Sequence, residues 1–208
     1  MKTKELFKFS TGIVVPCYNE HERLQLSEFS RFFKKDKTTF FCFVDDGSTD
    51  GTKKIIADFA NKHPERVQAV FLSCNQGKAE AVRQGVKTLL KTHKFKFVGY
   101  WDADLATPLS TIIEFIEKFQ SSRALVAVCG SRILRLGADI RRSLVRHYLG
   151  RIFATVASNI LNIPVYDTQC GAKLFSSEHA ELIFSEYFIS SWFFDIELFA
   201  RSIELMGR

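Results

Sequence analysis

Cysteine is scarce and unpatterned: there are five, an odd number, and no two form a Cys-x-x-Cys pair. That excludes a zinc ribbon and a redox dithiol, and it offers no disulfide framework. Reduced thiols in a cytosolic setting fit best. A secretory leader is missing, because Met1 to Phe9 carries scattered lysines without a long apolar run. Long apolar runs are missing elsewhere too. The longest uncharged stretch, Ile152 to Tyr166, has 15 residues and includes Asn159, Asn162 and Pro164. It is too short and too polar to span a bilayer. No strand-like run is followed by Gly-x-Gly-x-x-Gly, which argues against a dinucleotide-dependent dehydrogenase. With no internal repeat, low-complexity tract or linker, residues 1–208 read as one domain. At 46% hydrophobic and 25% charged residues, it can bury a sizeable core.

Acid is scarce in one block. Between Arg132 and Arg151 there are six arginines and one histidine against the single acid Asp139. Such a block calls for an anionic partner: phosphate, nucleic acid or an anionic membrane surface. It leads into Ser143 to Leu161, whose apolar residues recur on one helical face, with Arg142, Arg146 and His147 at its start. That face can pack on the core or lie in a membrane interface.

What is present is an alternation. Short apolar runs at Gly12–Cys17, Thr39–Val44, Val67–Ser73, Phe95–Trp101 and Leu125–Cys129 read as strands. Helical segments lie between them, reaching about Lys35 and covering Ile55–Lys62, Gly77–Leu90 and Leu109–Phe119. The expected fold class is α/β: a Rossmann-like, mixed but mostly parallel sheet flanked by helices. Ligands of such sheets bind outside the carboxyl ends of the strands. The loops Pro16–Glu20, Asp45–Thr52, Asn75–Lys78 and Asp102–Pro108 all fall there.

Each loop carries chemistry. Asp102 and Asp104 follow a buried run and, two residues apart in extended backbone, can face one site. Two hard oxygen donors suit Mg²⁺ or Mn²⁺ when a diphosphate completes the shell. The alternative is a solvated turn ahead of the helix that Thr107-Pro108 opens. Of Asp45 and Asp46, one carboxylate at a strand end can accept hydrogen bonds from a ribose or base edge, while Gly47 to Thr52 read as turn and cap. Lys78 in the first turn of a helix opposes the helix dipole unless an anion, or Glu80, stands beside it.

Val14-Val-Pro-Cys-Tyr-Asn-Glu20, Asp45-Asp-Gly-Ser-Thr-Asp-Gly-Thr52, Asn75-Gln-Gly-Lys78 and Asp102-Ala-Asp-Leu105 together resemble the family 2 glycosyltransferases of GT-A fold. The later Asp167-Thr-Gln-Cys-Gly-Ala-Lys-Leu-Phe175 and Trp192-Phe-Phe-Asp-Ile-Glu-Leu198 resemble the branch that glycosylates polyprenyl phosphates, which includes the dolichyl-phosphate glucosyltransferases. The resemblance implies a nucleotide-sugar donor, UDP-glucose in the glucosyl branch. It also implies a polyprenyl (dolichyl or undecaprenyl) phosphate acceptor and a peripheral place at the cytoplasmic face of a membrane. It assigns Pro16, Tyr18, Glu20 and Asp45 to the nucleoside, and Asp102, Ala103 and Asp104 to the diphosphate. Asp104 is the foremost metal ligand and Arg132 a phosphate contact; Asp46 and Lys78 complete the expected donor site. Ala106 departs from the Gln common in the mannosyl branch, which favours glucose. The chain ends soon after a helical stretch, and whether membrane helices follow Arg208 is left open.

A lipid phosphate is already a nucleophile near neutral pH, so the expected work of the protein is to bring two anionic groups together. Arg135, Arg141, Arg142 and Arg146 are the candidate acceptor-phosphate ligands, since the guanidinium fork binds two oxygens at once. Asp167 is expected at the acceptor side as a positioning group or weak base, or else as a turn residue. Asp195 is a third candidate catalytic carboxylate, although it and Glu197 could instead brace basic residues from a helix. Two other readings remain open. A saccharide hydroxyl could replace the lipid phosphate as acceptor, or the arginines could mark a non-catalytic module for anionic lipid. No nucleic-acid partner is expected, and the oligomeric state is left open.

Overall fold

The computed structural model describes residues 8–122, 124–131, 169–191 and 193–207. Its elements run β1 (Thr11–Cys17), α1 (Leu26–Lys35), β2 (Thr39–Asp45), α2 (Thr52–Lys62), β3 (Val67–Phe71), α3 (Lys78–Thr92), β4 (Phe97–Trp101) and α4 (Thr111–Ser121), followed by β5 (Ala127–Cys129), β6 (Ala172–Ser176), α5 (Ser177–Ile183) and α6 (Phe194–Leu205). The strands form one sheet in the order β3-β2-β1-β4-β6-β5. Strands β1, β2, β3 and β4 pair in parallel, and β6 runs antiparallel to both β4 and β5. The mixed, mostly parallel sheet is therefore as expected.

Strand residues alternate between two cores. Ile13, Val15, Phe41, Phe43 and Trp101 point toward α1, α2 and α4. Val14, Cys42, Val44, Val98 and Tyr100 point toward α3, α5 and α6. Near-continuous apolar strands follow from burial on both faces. The first core is largely aromatic: Phe29 of α1 meets Phe41 and Phe43 edge-on, with ring centroids 5.3 and 4.9 Å apart. Each fully buried Phe of this kind contributes roughly 1.5–3 kcal/mol.

Strand β6 was not legible as a strand, because Lys173 interrupts its apolar run. In the fold Lys173 is completely buried.

His179 of α5 lies against Ser202 of α6, Nε2 to Oγ 2.8 Å. The Ser202 hydroxyl donates to Leu198 O at 2.7 Å, so the ring donates through Nε2. Burial lowers the pKa of His179. An imidazole with a depressed folded pKa binds its proton more readily in the unfolded chain. Its contribution to stability is complete above about pH 6.5 and is lost as pH falls through the lower folded value. His179→Gln is expected to flatten the loss of stability below that pH. Urea midpoints measured across the window check this, and an unchanged slope would contradict it.

Candidate active site

The carboxyl ends of β1, β2, β3 and β4 carry the four loops, and their contacts are mutual. Asn19 N donates to Ser48 Oγ at 2.9 Å, and Thr49 N donates to Asn19 Oδ1 at 2.9 Å. Glu20 N donates to Thr52 Oγ1 at 2.8 Å. The first two loops are thus stitched together, with Tyr18 exposed on their rim.

Asp45, the last residue of β2, is 1% exposed, yet neither of its carboxylate oxygens has a hydrogen-bond partner among the described residues. A buried, unpartnered carboxylate is costly and calls for an explanation. Glu20 Oε1 accepts from Arg23 at 2.7 Å, while its Oε2 is buried without a partner among the described residues. Burial raises the Glu20 pKa against the pull of Arg23, and Asp104 adds to the rise. This edge therefore holds excess negative charge and open acceptors.

Asp46 is engaged by the neighbouring loop. Its two oxygens accept the backbone amides of Gln76 and Gly77, each at 2.8 Å. It is a clamp on the loop that precedes α3, and both oxygens are engaged there. Burial raises its pKa, with the two amides pulling the other way.

The Asp102–Asp104 turn is tightly defined. Asp102 N donates to Gly171 O at 2.8 Å, and Ala106 N donates to Asp104 Oδ1 at 3.0 Å. Leu105 adopts a left-handed φ of +53°. Such a conformation costs a residue with a Cβ roughly 1–2 kcal/mol, so tertiary contacts must hold it. Trp101 helps by donating from Nε1 to Thr107 O at 2.8 Å. Asp104 is exposed, whereas Ala103 packs into the core beneath. Any part Ala103 plays toward a diphosphate would fall to its backbone.

Lys78 and Glu80 are not partners. Lys78 Nζ lies 2.5 Å from Asp102 Oδ1. Glu80 forms a buried two-pronged pair with Arg83, at 2.7 and 2.8 Å. Burial raises the Asp102 pKa, opposed by Lys78 and reinforced by Asp104 and Asp195.

Asp195 has the bracing contacts that the sequence reading held open beside a catalytic role. It is buried, with Lys173 Nζ 2.6 Å from its Oδ1 and the Tyr100 hydroxyl donating to the same oxygen. Lys173 also donates to Cys170 O at 2.7 Å. Burial, with Asp195 beside it, pushes the Tyr100 phenol well above its ordinary value and keeps it a donor. A carboxylate so enclosed braces a buried cation. Glu197 likewise braces Arg201 at 2.7 Å. Arg132, Arg135, Arg141, Arg142, Arg146, Asp167 and the helical face 143–161 lie outside the described residues.

Sequence reasoning missed Gly171 and Lys173. A Cβ on Gly171 would sit 1.7 Å from Asp102 Oδ2, so the backbone there closes on the carboxylate as only glycine can. The motif Gln169-Cys-Gly-Ala-Lys173 was the available signal.

The donor set fits a divalent cation shared with a substrate. Among the described residues no group of three or more His, Cys, Asp or Glu could enclose a metal. Two carboxylates at a strand end, one exposed, suit an ion whose remaining ligands come from a diphosphate.

Elsewhere, a cavity of about 580 Å³ opens at the opposite end of the strands, between Phe9, Phe33, Lys37, Lys62 and Arg66. Lys37 donates to Phe33 O at 2.6 Å, and Arg66 donates to the carbonyls of Asp36 and Thr39. Its cations satisfy the carboxyl-terminal end of α1 and the start of β2.

The fold is one shared by sugar-nucleotide enzymes. Glucosyl-3-phosphoglycerate synthase from Mycobacterium tuberculosis, in complex with uridine diphosphate, superposes with a TM-score of 0.67 at 18% identity, covering 96% of this chain and 67% of the other. A mannosyltransferase from Pyrobaculum calidifontis, in complex with GDP-mannose and Mn²⁺, gives a TM-score of 0.55 at 20% identity over 86% and 50%. At these identities the likeness concerns the fold alone, and that fold is the GT-A arrangement.

The family follows from the sequence match. Residues 12–184 match the model of Glycosyl transferase family 2, and the chain belongs to that family. Among its relatives is a dolichyl-phosphate beta-glucosyltransferase of Dictyostelium discoideum, 33% identical over 200 residues, covering 90% of this chain and 60% of that protein. The Homo sapiens dolichyl-phosphate beta-glucosyltransferase is 32% identical over 202 residues, covering 90% and 61%. The chain thus spans about three fifths of the length of these relatives.

Proposed function

We propose that the chain transfers a hexose, glucose in the first instance, from a UDP-sugar to a polyprenyl phosphate, with inversion and with Mg²⁺ or Mn²⁺ as cofactor. The observation that carries this reading is Asp45, a buried carboxylate with two unfilled oxygens on the strand edge that also holds the Asp102–Asp104 turn. A nucleoside offers the hydroxyl and imide donors that Asp45 lacks. Family membership and the dolichyl-phosphate glucosyltransferase relatives support the same donor and acceptor.

In this reading an acceptor phosphate oxygen bonds to the anomeric carbon while the bond from that carbon to the donor's β-phosphate oxygen breaks. The UDP leaves with the bonding electrons. A lipid monophosphate has a second pKa of about 6 and is mostly dianionic at neutral pH, so no strong base is required. That agrees with the burial of Asp195 against Lys173. Asp104 and Asp102 would hold a divalent ion, which supplies positive charge to the departing diphosphate. Asp45 and Glu20 would orient the nucleoside. Arg132 would contact the donor phosphate, and Arg135, Arg141, Arg142 and Arg146 would gather the acceptor phosphate at the membrane surface. Among the described residues no helix is long and apolar enough to cross a membrane.

The test is a thermal-shift titration with UDP and GDP, each with and without Mn²⁺, followed by transfer from UDP-glucose to polyprenyl phosphate in detergent micelles. Stabilisation by UDP that depends on Mn²⁺ is expected, at roughly 2.7 kcal/mol for a ligand at 100 times its Kd. A preference for GDP would transfer the reading to mannose. Silence toward both nucleotides would leave only an anionic-surface module.

A further inference from the structure

Lys78 stands where a helix disfavours a cation, in the first turn of α3. Its position is nevertheless built. Asp46 fastens the amides of Gln76 and Gly77, and Gly77 turns the chain with a φ of +91°. The Lys78 ammonium then passes the Tyr100 and Phe194 rings, 5.6 and 5.9 Å from their centroids, and ends 2.5 Å from Asp102 Oδ1. The other carboxylate oxygen of Asp102 is pressed against Gly171, where a Cβ would come within 1.7 Å. Asp102 thus keeps 29% of its side-chain surface exposed, with Gly171 along one side of Oδ2 and the Lys78 ammonium, which can withdraw, closing off the buried Oδ1. Asp104 stays exposed on the same turn.

Resting on the donor-site reading above, we propose that Lys78 is an internal counter-ion for Asp102 that gives way to the divalent cation and moves to the nucleotide's diphosphate. Two cations cannot share one carboxylate oxygen without strong mutual repulsion. Without nucleotide, a metal ion reaches Asp104 but must displace an ammonium that has nowhere better to go. A diphosphate beside the turn offers that ammonium oxygens of its own. Metal and nucleotide then bind with positive coupling, and linkage makes the coupling equal in both directions.

The test measures Mn²⁺ affinity directly, from the electron paramagnetic resonance signal of the free ion, with and without UDP. It uses wild type, Lys78→Met, Lys78→Gln and Lys78→Arg, with circular dichroism as the control for folding. Lys78→Met is expected to bind Mn²⁺ alone about tenfold more tightly than wild type, within the roughly 5- to 150-fold span of typical couplings. UDP should then raise its Mn²⁺ affinity by correspondingly less. Lys78→Arg should keep the wild-type coupling, and Lys78→Gln should follow Lys78→Met. Unchanged Mn²⁺ affinity in folded Lys78→Met and Lys78→Gln would overturn the inference. An undiminished UDP effect in those variants would overturn the transfer of Lys78 to the diphosphate. A wild type that binds neither Mn²⁺ nor UDP would instead overturn the donor site itself, and the inference with it.

Discussion

Asp104→Ala is expected to abolish Mn²⁺-dependent stabilisation by UDP and to lower transfer at least 100-fold, the order seen when a preorganised charge-stabilising contact is removed. The unliganded protein should hardly notice. Asp104 is exposed, and its one hydrogen bond among the described residues comes from a local amide, Ala106 N at 3.0 Å. Exposed substitutions of this kind stay within about 0.5 kcal/mol, or roughly 1–2 °C in Tm for a domain of this size. The separation of the two readouts is the point. Nucleotide binding lost at constant Tm would assign Asp104 to the donor site, and chelation of the metal should reproduce it in wild type. Binding and transfer that survive in Asp104→Ala would remove the metal from the mechanism.

Lys173→Met should show the reverse pattern, with a large loss of stability. Lys173 is completely buried and holds Asp195 at 2.6 Å. Removing one partner of a buried ion pair leaves a charge with insufficient compensation, which costs about 3–5 kcal/mol. That corresponds to roughly 10 °C in Tm. The Tyr100 hydroxyl, which also donates to Asp195, cannot neutralise it. The double variant Lys173→Met/Asp195→Asn should recover much of the loss, since an amide still accepts from Tyr100 without a buried charge. Urea unfolding of both singles and the double closes the cycle. A cost below about 1 kcal/mol for Lys173→Met would show that Asp195 is satisfied by other means.

These two residues mark where sequence reasoning succeeded and where it did not. Asp104 was readable because its signal is local: an apolar run that ends in Asp-x-Asp places a carboxylate at a strand edge whatever the rest of the chain does. The same holds for Asp45 at the end of β2. Lys173 was unreadable because lysine at the centre of a short run looks like a break in the strand. Only its pairing with Asp195, 22 residues further on, makes it a core residue. The sequence left two roles open for Asp195 for the same reason, since a carboxylate near a motif can be catalytic or structural until its partner is known.

The sequence by itself determined the alternation of strands and helices, the two-sided burial of the sheet and the gathering of four polar loops at one edge. All of these follow from hydrophobic period and chain direction, which are properties of neighbouring residues. The tertiary structure alone decided which charge meets which. It paired Lys78 with Asp102 and Glu80 with Arg83, turned Asp46 into a loop clamp, left Asp45 without a partner among the described residues, and pressed Gly171 onto Asp102. Ion pairs act over a few ångströms, and which groups come that close depends on strand register and helix placement, not on spacing along the chain.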